Sequence, residues 1–518
     1  MVLKYLIREN AYYDSVTLMI ITREVKKIEG VKEVIVGMGT ELNKELAGNL
    51  NLLTLDLQKI TPNDFFISLD SVDDNIAEGA FAFVDELLNK KKAESEDYQP
   101  STIESALKYM PDANLVLISL PGKYAAREVK NALLNDKHVM LFSDNVALEE
   151  EIDLKKLARQ RGLLMMGPDC GTAIINYVAL AFANVVRKGS IGIVGASGTG
   201  IQEVTVMIDK LGSGISQAIG TGGRDLKAEV GGIMMIEGLK ALQNDPLTEV
   251  IVLISKPPDK EVARKVLSIL KEGKKPSVVY FVGGDPGVIK EFGFIPGLSL
   301  EDTAHKAVAI AKGLPVEEFT GFSVNGIDKI IQEETKKLNG KQKYIRGLYT
   351  GGTLCDEAMI ILSDLIGDIY SNIPLKSEGK LFDINKSYRH SLIDLGDDEF
   401  TRGKPHPMID PYVRQERILS EAKDREAAII LMDFVLGFGS NPDPAGEMIP
   451  YIRKADEIAA KDGRHICMIS SVCGTEEDPQ NLIEQEKKLK EERVIVMPSN
   501  AQAVRLAAAI VLSRRKIQ

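Results

Sequence analysis

Short apolar runs alternate with longer stretches in which apolar residues recur every three or four positions, and this alternation governs nearly the whole chain. "LKYLIREN" and "VKEVIVGMG" read as strands on either side of the helical "DSVTLMIITREVKKIEG"; "PNDFFISLDS" is a further strand before the helix "DNIAEGAFAFVDELLNKKK". These predict a small α/β unit over residues 1–98, with a ferredoxin-like form as the candidate, closed by the polar tract "KKKAESEDYQP", which reads as a linker. Over residues 99–186 come the strand "ANLVLISLP", the helix "KYAAREVKNALLND", the strand "KHVMLFSD", the helix "EIDLKKLARQRG" and the strand "LLMMGPDC". Short buried strands separated by helices indicate a parallel sheet with βαβ crossovers, a Rossmann-like unit, although no GxGxxG follows any of its strands.

From residue 187 to 322 the pattern is "SIGIVGA", the helix "IQEVTVMIDKLG", "GISQAIGTGGRD", "EVIVLIS", "KPSVVYFVGG" and "GFIPGLSLEDTAHKAVAIAKG". Residues 323–518 repeat this grammar in the same order. "YIRGLYTGGTLCDEAMIIL" answers the opening strand, loop and helix, and "SLIDLGDDEF" answers "SQAIGTGGRD". "REAAIILMDFV" answers "TEVIVLIS", "RHICMISSVCG" answers "KPSVVYFVGG", and "RVIVMPSNAQAVRLAAAIV" answers "GFIPGLSLEDTAHKAVAIA". Five matched blocks in one order imply an internal duplication of a flavodoxin-like, doubly wound α/β domain. A strand, a glycine loop and a helix therefore occur twice, as "GASGTG" and as "TGGTLC", at the carboxyl ends of parallel strands, where such sheets bind ligands.

Composition narrows the class further. A chain of 518 residues, 44% hydrophobic and 27% charged, suits a soluble globular protein. No apolar run reaches the roughly 20 residues of a membrane span, so no membrane is expected as a partner. "MVLKYLIREN" lacks the apolar core and cleavage site of a signal peptide, so the expected compartment is cytoplasmic. Cys170, Cys355, Cys467 and Cys473 are too widely spaced for a disulfide framework or a zinc motif, and no metal site is read. The net charge of −11 argues against nucleic acid as a partner, so any anion site must be local.

The candidate chemistry centres on the two loops. Ser197, Gly198 and Thr199, with Gly351, Gly352 and Thr353, form a candidate phosphate cradle. Backbone N–H groups at two facing helix amino termini, with short hydroxyls, hold a tetrahedral anion without many basic side chains. Taken singly, each loop also reads as a tight turn with Ser197, Thr199 or Thr353 as N-cap. Gly222, Gly223 and Arg224 in "GTGGRD" offer a flexible turn and an anion clamp; a surface arginine paired with Asp225 explains the same residues. In "DDEFTRGKPHPMIDP", Arg402, Lys404 and His406 read as a second clamp with a titratable group, or as a solvated loop, in a place equivalent to Arg224 and facing the same cleft. Asp169 and Cys170 in "MGPDCG" are candidate substrate contacts, and Cys170 is also a candidate nucleophile. Residues 438–447 are a second flexible loop or a connector, and His305 sits inside a helix.

"LMMGPDCGTAII", "KGSIGIVGASGTGIQE" and "LQNDPLTEVIVLI" resemble segments of the succinyl-CoA synthetase alpha subunit, and the fourth stretch resembles the carboxyl-terminal domain of the beta subunit. With "YDSVTLM" and "MGTELNKEL", the whole arrangement is most similar to the FdrA family. The synthetase resemblance implies two helix amino termini around a phosphohistidine, but "DPGVIKEFGFIPGLS", which follows the strand where that histidine is carried, contains none. The ATP-grasp domain and the CoA loop that opens the alpha subunit are also missing. The FdrA resemblance implies a subunit of a hetero-oligomeric complex acting on a small-molecule substrate, of the oxamate carbamoyltransferase type. Oxalurate and phosphate then give oxamate and carbamoyl phosphate, with phosphate or an acyl phosphate as substrate and no certain cofactor. An acyl-CoA synthetase subunit with its nucleotide domain on a partner, and CoA as ligand, is the second reading. A non-catalytic scaffold or regulatory subunit is the third.

Overall fold

The computed structural model describes residues 2–11, 13–92, 100, 102–402 and 404–517, so residues 93–99 of the tract read as a linker lie outside the described residues. Contacts group the chain into two units, Met1–Pro100 with Asp398–Asp410, and Ser101–Asp397 with Pro411–Gln518.

In the first unit, strands β1 (Val2–Arg8), β2 (Val31–Met38) and β3 (Phe65–Ser71) form an antiparallel sheet in the order β1-β3-β2. β1 and β2, joined through helix Ser15–Lys26, lie on either side of β3, which is the split β-α-β arrangement of ferredoxin-like units. Val25, Phe65, Ile67, Leu69, Ala77 and Val84 fill the space between the sheet and the helices Ser15–Lys26 and Asp74–Lys92. Two short helices, Glu41–Asn49 and Leu55–Lys59, capped by Thr40 and Thr54, were not read from the sequence. The segment Asp398–Asp410 packs here through Arg402 on Glu45 at 2.8 Å and Asp410 on Arg23 at 2.7 Å.

The second unit begins with a parallel sheet of β4 (Leu115–Ile118), β5 (His138–Leu141) and β6 (Met165–Met166). β6 stops after two residues because Gly167 and Pro168 follow, and proline cannot donate to a ladder. A hairpin comes next, β7 (Thr172–Ile175) and β8 (Val178–Ala181), turning on Asn176 and Tyr177 with φ of 49° and 69°. Both turn residues lie in the left-handed region that a two-residue hairpin requires, but Asn-Tyr lacks the usual glycine signal.

Two larger sheets follow. The first carries β9 (Lys188–Ala196), β10 (Ile215–Gly220), β11 (Val250–Ser255), β12 (Ser277–Phe281) and β13 (Ile295–Pro296) in the order β13-β12-β11-β9-β10, with the β7–β8 hairpin added beyond β10. The second carries β14 (Tyr344–Tyr349), β15 (Ser391–Asp394), β16 (Ala427–Val435), β17 (Cys467–Cys473) and β18 (Ile495–Met497) in the order β15-β14-β16-β17-β18. Numbered within each repeat, both are 2-1-3-4-5, the doubly wound flavodoxin-like order. The apolar runs explain the central strands: β11 and β16 are buried along their whole length, as strands covered by helices on both faces must be. Their helices show the complementary pattern. In Lys260–Glu272, Val262, Ala263, Val266, Leu267 and Leu270 form one buried stripe, and Asp259 caps the first turn.

Candidate functional site

β9 ends at Ala196, Ser197 turns the chain, and helix Gly198–Lys210 begins; in the second repeat β14 ends at Tyr349 and helix Gly352–Ile366 begins after Gly351. Ser197 stands at the N-cap position of the first helix and Gly351 at that of the second, neither with a side-chain hydrogen bond to its helix, and Thr199 and Thr353 lie within the first turns. Instead the two loops meet. Ser197 Oγ is hydrogen-bonded to Thr353 Oγ1 at 2.8 Å, and a Cβ placed on Gly351 would lie 2.9 Å from Thr199 Cγ2. Counting from the helix starts, Ser197 corresponds to Gly351 and Thr199 to Thr353, so these two contacts are related by an approximate two-fold. A Cβ on Gly200 would collide with Ser197 Oγ, which is why the closest approach is built from glycine and short hydroxyls. Ser197, Thr353 and Gly351 are buried, while Gly198, Thr199 and Gly352 are partly open to solvent.

The surrounding side chains come from other strand ends. Lys256 directly follows β11, and its ammonium is 3.3 Å from Asp356 Oδ2 on the second helix; the lysine side chain is 42% exposed. Although burial works against its charge, Asp356, Asp394 and Asp169 together hold the Lys256 pKa above its ordinary value. Asp394 ends β15, and its Oδ2 would lie 2.7 Å from a Cβ on Gly352. Burial pushes its carboxyl up to about 7, against the pull of Lys256 and the Gly396 N–H. Asp433, inside β16, accepts the N–H groups of Thr350 at 2.8 Å and Gly351 at 2.7 Å, and is paired with the buried Arg414. Burial raises the Asp433 carboxyl and lowers the Arg414 guanidinium. The "MGPDC" turn meets the "TGG" turn: Gly222, at φ 87°, passes so close to Pro168 that no side chain fits, and a Cβ on Gly223 would lie 3.0 Å from Asp169 Oδ2.

Behind the loops, two glutamates at equivalent positions cross between the repeats. Glu203 on the first helix accepts the N–H of Asn500, which opens the last helix of the second repeat, at 3.1 Å. Glu357 on the second helix accepts the N–H of Leu300, which opens the last helix of the first repeat, at 2.7 Å, and the Asn500 side chain at 2.8 Å. Burial pushes the Glu357 carboxyl up to about 7.

The remaining expected residues are placed elsewhere. Arg224 is not paired with Asp225: its Nε lies 2.9 Å from Glu151 Oε2 and its Nη2 donates to the Val146 carbonyl. Asp225 takes Lys155 at 2.8 Å and the N–H groups of Met234 and Met235. The register corrects the expected equivalence of Arg224 and the Arg402 cluster. Gly220 opposite Gly195 matches Asp394 opposite Tyr349, and counting on from these makes Asp398 the counterpart of Arg224. Arg402 is exposed on Glu45 in the first unit, and His406, partly buried and held down to about pH 4 by burial, accepts the Met408 N–H. Cys170 is buried, with its thiol pushed up to about 12 by burial and directed at the Thr172 and Gly220 carbonyls, an environment that disfavours the thiolate a nucleophile needs. His305 is stacked on Phe319, ring centroids 4.2 Å apart. Lys256, Asp394, Asp433, Glu203 and Glu357 were not singled out in the sequence. Their signals were a lysine directly after a buried strand, an aspartate inside an apolar run, and a glutamate at the sixth position of both repeated helices.

Three family models match: "AllF, heavy metal-associated domain" over residues 1–104, "CoA binding domain" over 186–283 and "CoA-ligase" over 348–510. Residues 1–104 contain no cysteine. The mixed α/β fold with parallel sheets is in keeping with the last two matches, and each of these holds one of the glycine loops. Among solved structures, ATP citrate lyase from Methanothrix soehngenii is similar at 12% identity and a TM-score of 0.36, covering 80% of this chain and 85% of that one. The succinate–CoA ligase [ADP-forming] subunit alpha 2 of Archaeoglobus fulgidus is 27% identical over 178 residues, 33% of this chain and 60% of that subunit. The protein YahF of Escherichia coli (strain K12) is 47% identical over 508 residues, 98% of each chain, and with that extent of identity this chain belongs to the YahF family.

Proposed function

We propose that the chain is an FdrA-type subunit that binds phosphate at the two facing glycine loops and takes part in transfer of an acyl or carbamoyl group to or from that phosphate. The Ser197–Thr353 hydrogen bond carries the reading, because it joins two helix amino termini that have no side-chain cap. Each such end favours an anion by about 0.3–1 kcal/mol, more when partly buried. Lys256 supplies a full positive charge that is partly open to solvent, whereas Arg414 is buried against Asp433. In the carbamoyl form of the reaction, a phosphate oxygen attacks the carbamoyl carbon of oxalurate. The bond from that carbon to the oxamate nitrogen breaks, the nitrogen takes a proton, and carbamoyl phosphate and oxamate leave. This needs no phosphohistidine, in keeping with a loop after β12 that runs Val282–Asp285 into a short helix without one. Phosphate aligned on fixed N–H groups gains from positioning and from charge already in place.

The CoA-ligase and CoA-binding family matches favour a second reading, an acyl-CoA ligase subunit with its nucleotide site on another chain. The purified chain, alone and with the products of its neighbouring genes, is incubated with oxalurate and phosphate, and separately with succinate, CoA and ATP. Carbamoyl phosphate in the first mixture is expected; turnover only in the second favours the ligase, and phosphate binding without turnover in either favours a scaffold. Gly198→Val directs a side chain into the open space beside Thr172 and is expected to abolish phosphate binding at the loops in titration calorimetry.

A further inference from the structure

A cavity of about 200 Å³ opens at the amino-terminal ends of β14 and β16, the opposite end of the sheet from the Gly351 loop, lined in part by Lys343, Tyr344, Arg514 and Arg515. No carboxylate lines it, and among the described residues neither Lys343 nor Arg514 has an ion-pair partner. In a chain of net charge −11 this local excess of positive charge is unusual. Arg514 and Arg515 lie in the last turn of helix Asn500–Ile517, where basic residues complement a helix dipole. That role leaves Arg514 Nε unexplained, since it is buried with no hydrogen-bond partner.

His390 gives an independent sign. Its Nδ1 accepts the Ile345 N–H at 3.2 Å, and a neutral imidazole has one lone pair, so Nε2 carries the hydrogen. Yet Nε2 faces Arg515 Nη2, a second donor, at 3.1 Å. Burial, with the charges of Arg515 and Arg346, holds this imidazole at about pH 4, so it is neutral near pH 7. Two donors facing one another lack an acceptor, and an anionic oxygen is the acceptor that satisfies both. The Tyr344 ring packs edge-on to His390 at 5.2 Å and joins the donor pair to the cavity.

We propose that this cavity is a second anion site, separate from the glycine loops, that takes a small oxygen dianion through Lys343, Arg514 and Arg515. Its volume of about 200 Å³ admits phosphate or a short dicarboxylate. β14 runs from the cavity at Tyr344 to the glycine loop within a single strand, so an occupant here and one at the loop bear on opposite ends of one element.

The test uses the full-length Gly198→Val chain, in which the glycine-loop site is blocked, titrated calorimetrically with inorganic phosphate and, separately, with malonate. One equivalent of at least one probe is expected to bind, weakened tenfold or more by Arg515→Gln or by Lys343→Gln and retained within about threefold by Lys343→Arg. Circular dichroism checks that each variant is folded. The probe bound more tightly identifies the source as phosphate or dicarboxylate. Absence of binding by both probes, or affinity unchanged in Arg515→Gln and Lys343→Gln, overturns the proposal. Loss of phosphate from the glycine loops is read separately, from the stoichiometry of the parent chain against Gly198→Val.

Discussion

Beside the first glycine loop the neighbouring strand ends carry Gly220 and Ile254; beside the second, the same register positions carry Asp394 and Asp433. Backbone geometry has been copied between the repeats and charge has not. At the second loop, Asp433 already occupies the N–H groups of Thr350 and Gly351 and is balanced by Arg414, while Asp394 stands beside Gly352 with its carboxyl raised by burial to about 7, so that it gains or loses its proton near neutral pH. The first loop has no carboxylate in either place, and Lys256 arrives from the adjacent strand of its own sheet. One repeat therefore offers an anion a positive end, and the other offers a braced wall whose charge depends on a proton.

The comparison is broken most severely by removing the brace. Arg414→Met leaves Asp433 buried without its cation and is expected to cost about 3–5 kcal/mol, measured by denaturant unfolding. Arg414→Met with Asp433→Ile, which gives the second repeat the residue of the first, is expected to recover much of that loss. Glu357 gives the next effect. Its folded pKa of about 7 lies above the ordinary 4.5, so the folded chain holds an extra proton between these values. The resulting stability is full below about pH 4.5 and is lost as pH rises through about 7, by up to ~3 kcal/mol; Glu357→Gln should flatten the profile.

Lys256→Met tests the positive side. A charge-assisted contact of about 1.5–3 kcal/mol corresponds to roughly 10- to 100-fold weaker anion binding, read by calorimetry. Asp394 sharpens the other side. Sulfate, which does not titrate in this range, is expected to bind several-fold more weakly as pH rises through about 7 and the Asp394 carboxyl ionises beside Gly352, with Asp394→Asn removing the dependence. The smallest effect belongs to Ser197→Ala, which deletes the hydroxyl bridge at a cost of about 1 kcal/mol in thermal unfolding.

The duplication and both glycine loops were legible because a buried parallel strand ending in glycine and followed by a helix is a local pattern. Lys256 was not, since it stands just past the apolar strand "EVIVLIS", and nothing local shows that a lysine after one strand reaches a helix about a hundred residues away. Asp433 was hidden for the opposite reason, being one acid in an apolar run whose partner Arg414 lies on a different element. Arg224 and Arg402 looked like clamps because they follow strand ends, but their partners Glu151 and Glu45 are distant in sequence. Side-chain pairing over such separations is set by packing, not by periodicity.

The crossed glutamates make each repeat the capping group of the other. A repeat folding alone would keep its own serine cap, Ser299 or Ser499, and would lose the second acceptor that the other repeat's glutamate provides at the first turn of its last helix. The two halves are accordingly expected to melt as one transition, which calorimetry checks. The surface between the repeats is thus built like a subunit interface within one chain, where the Ser197–Thr353 and Asn184–Asp478 hydrogen bonds join those of the two glutamates.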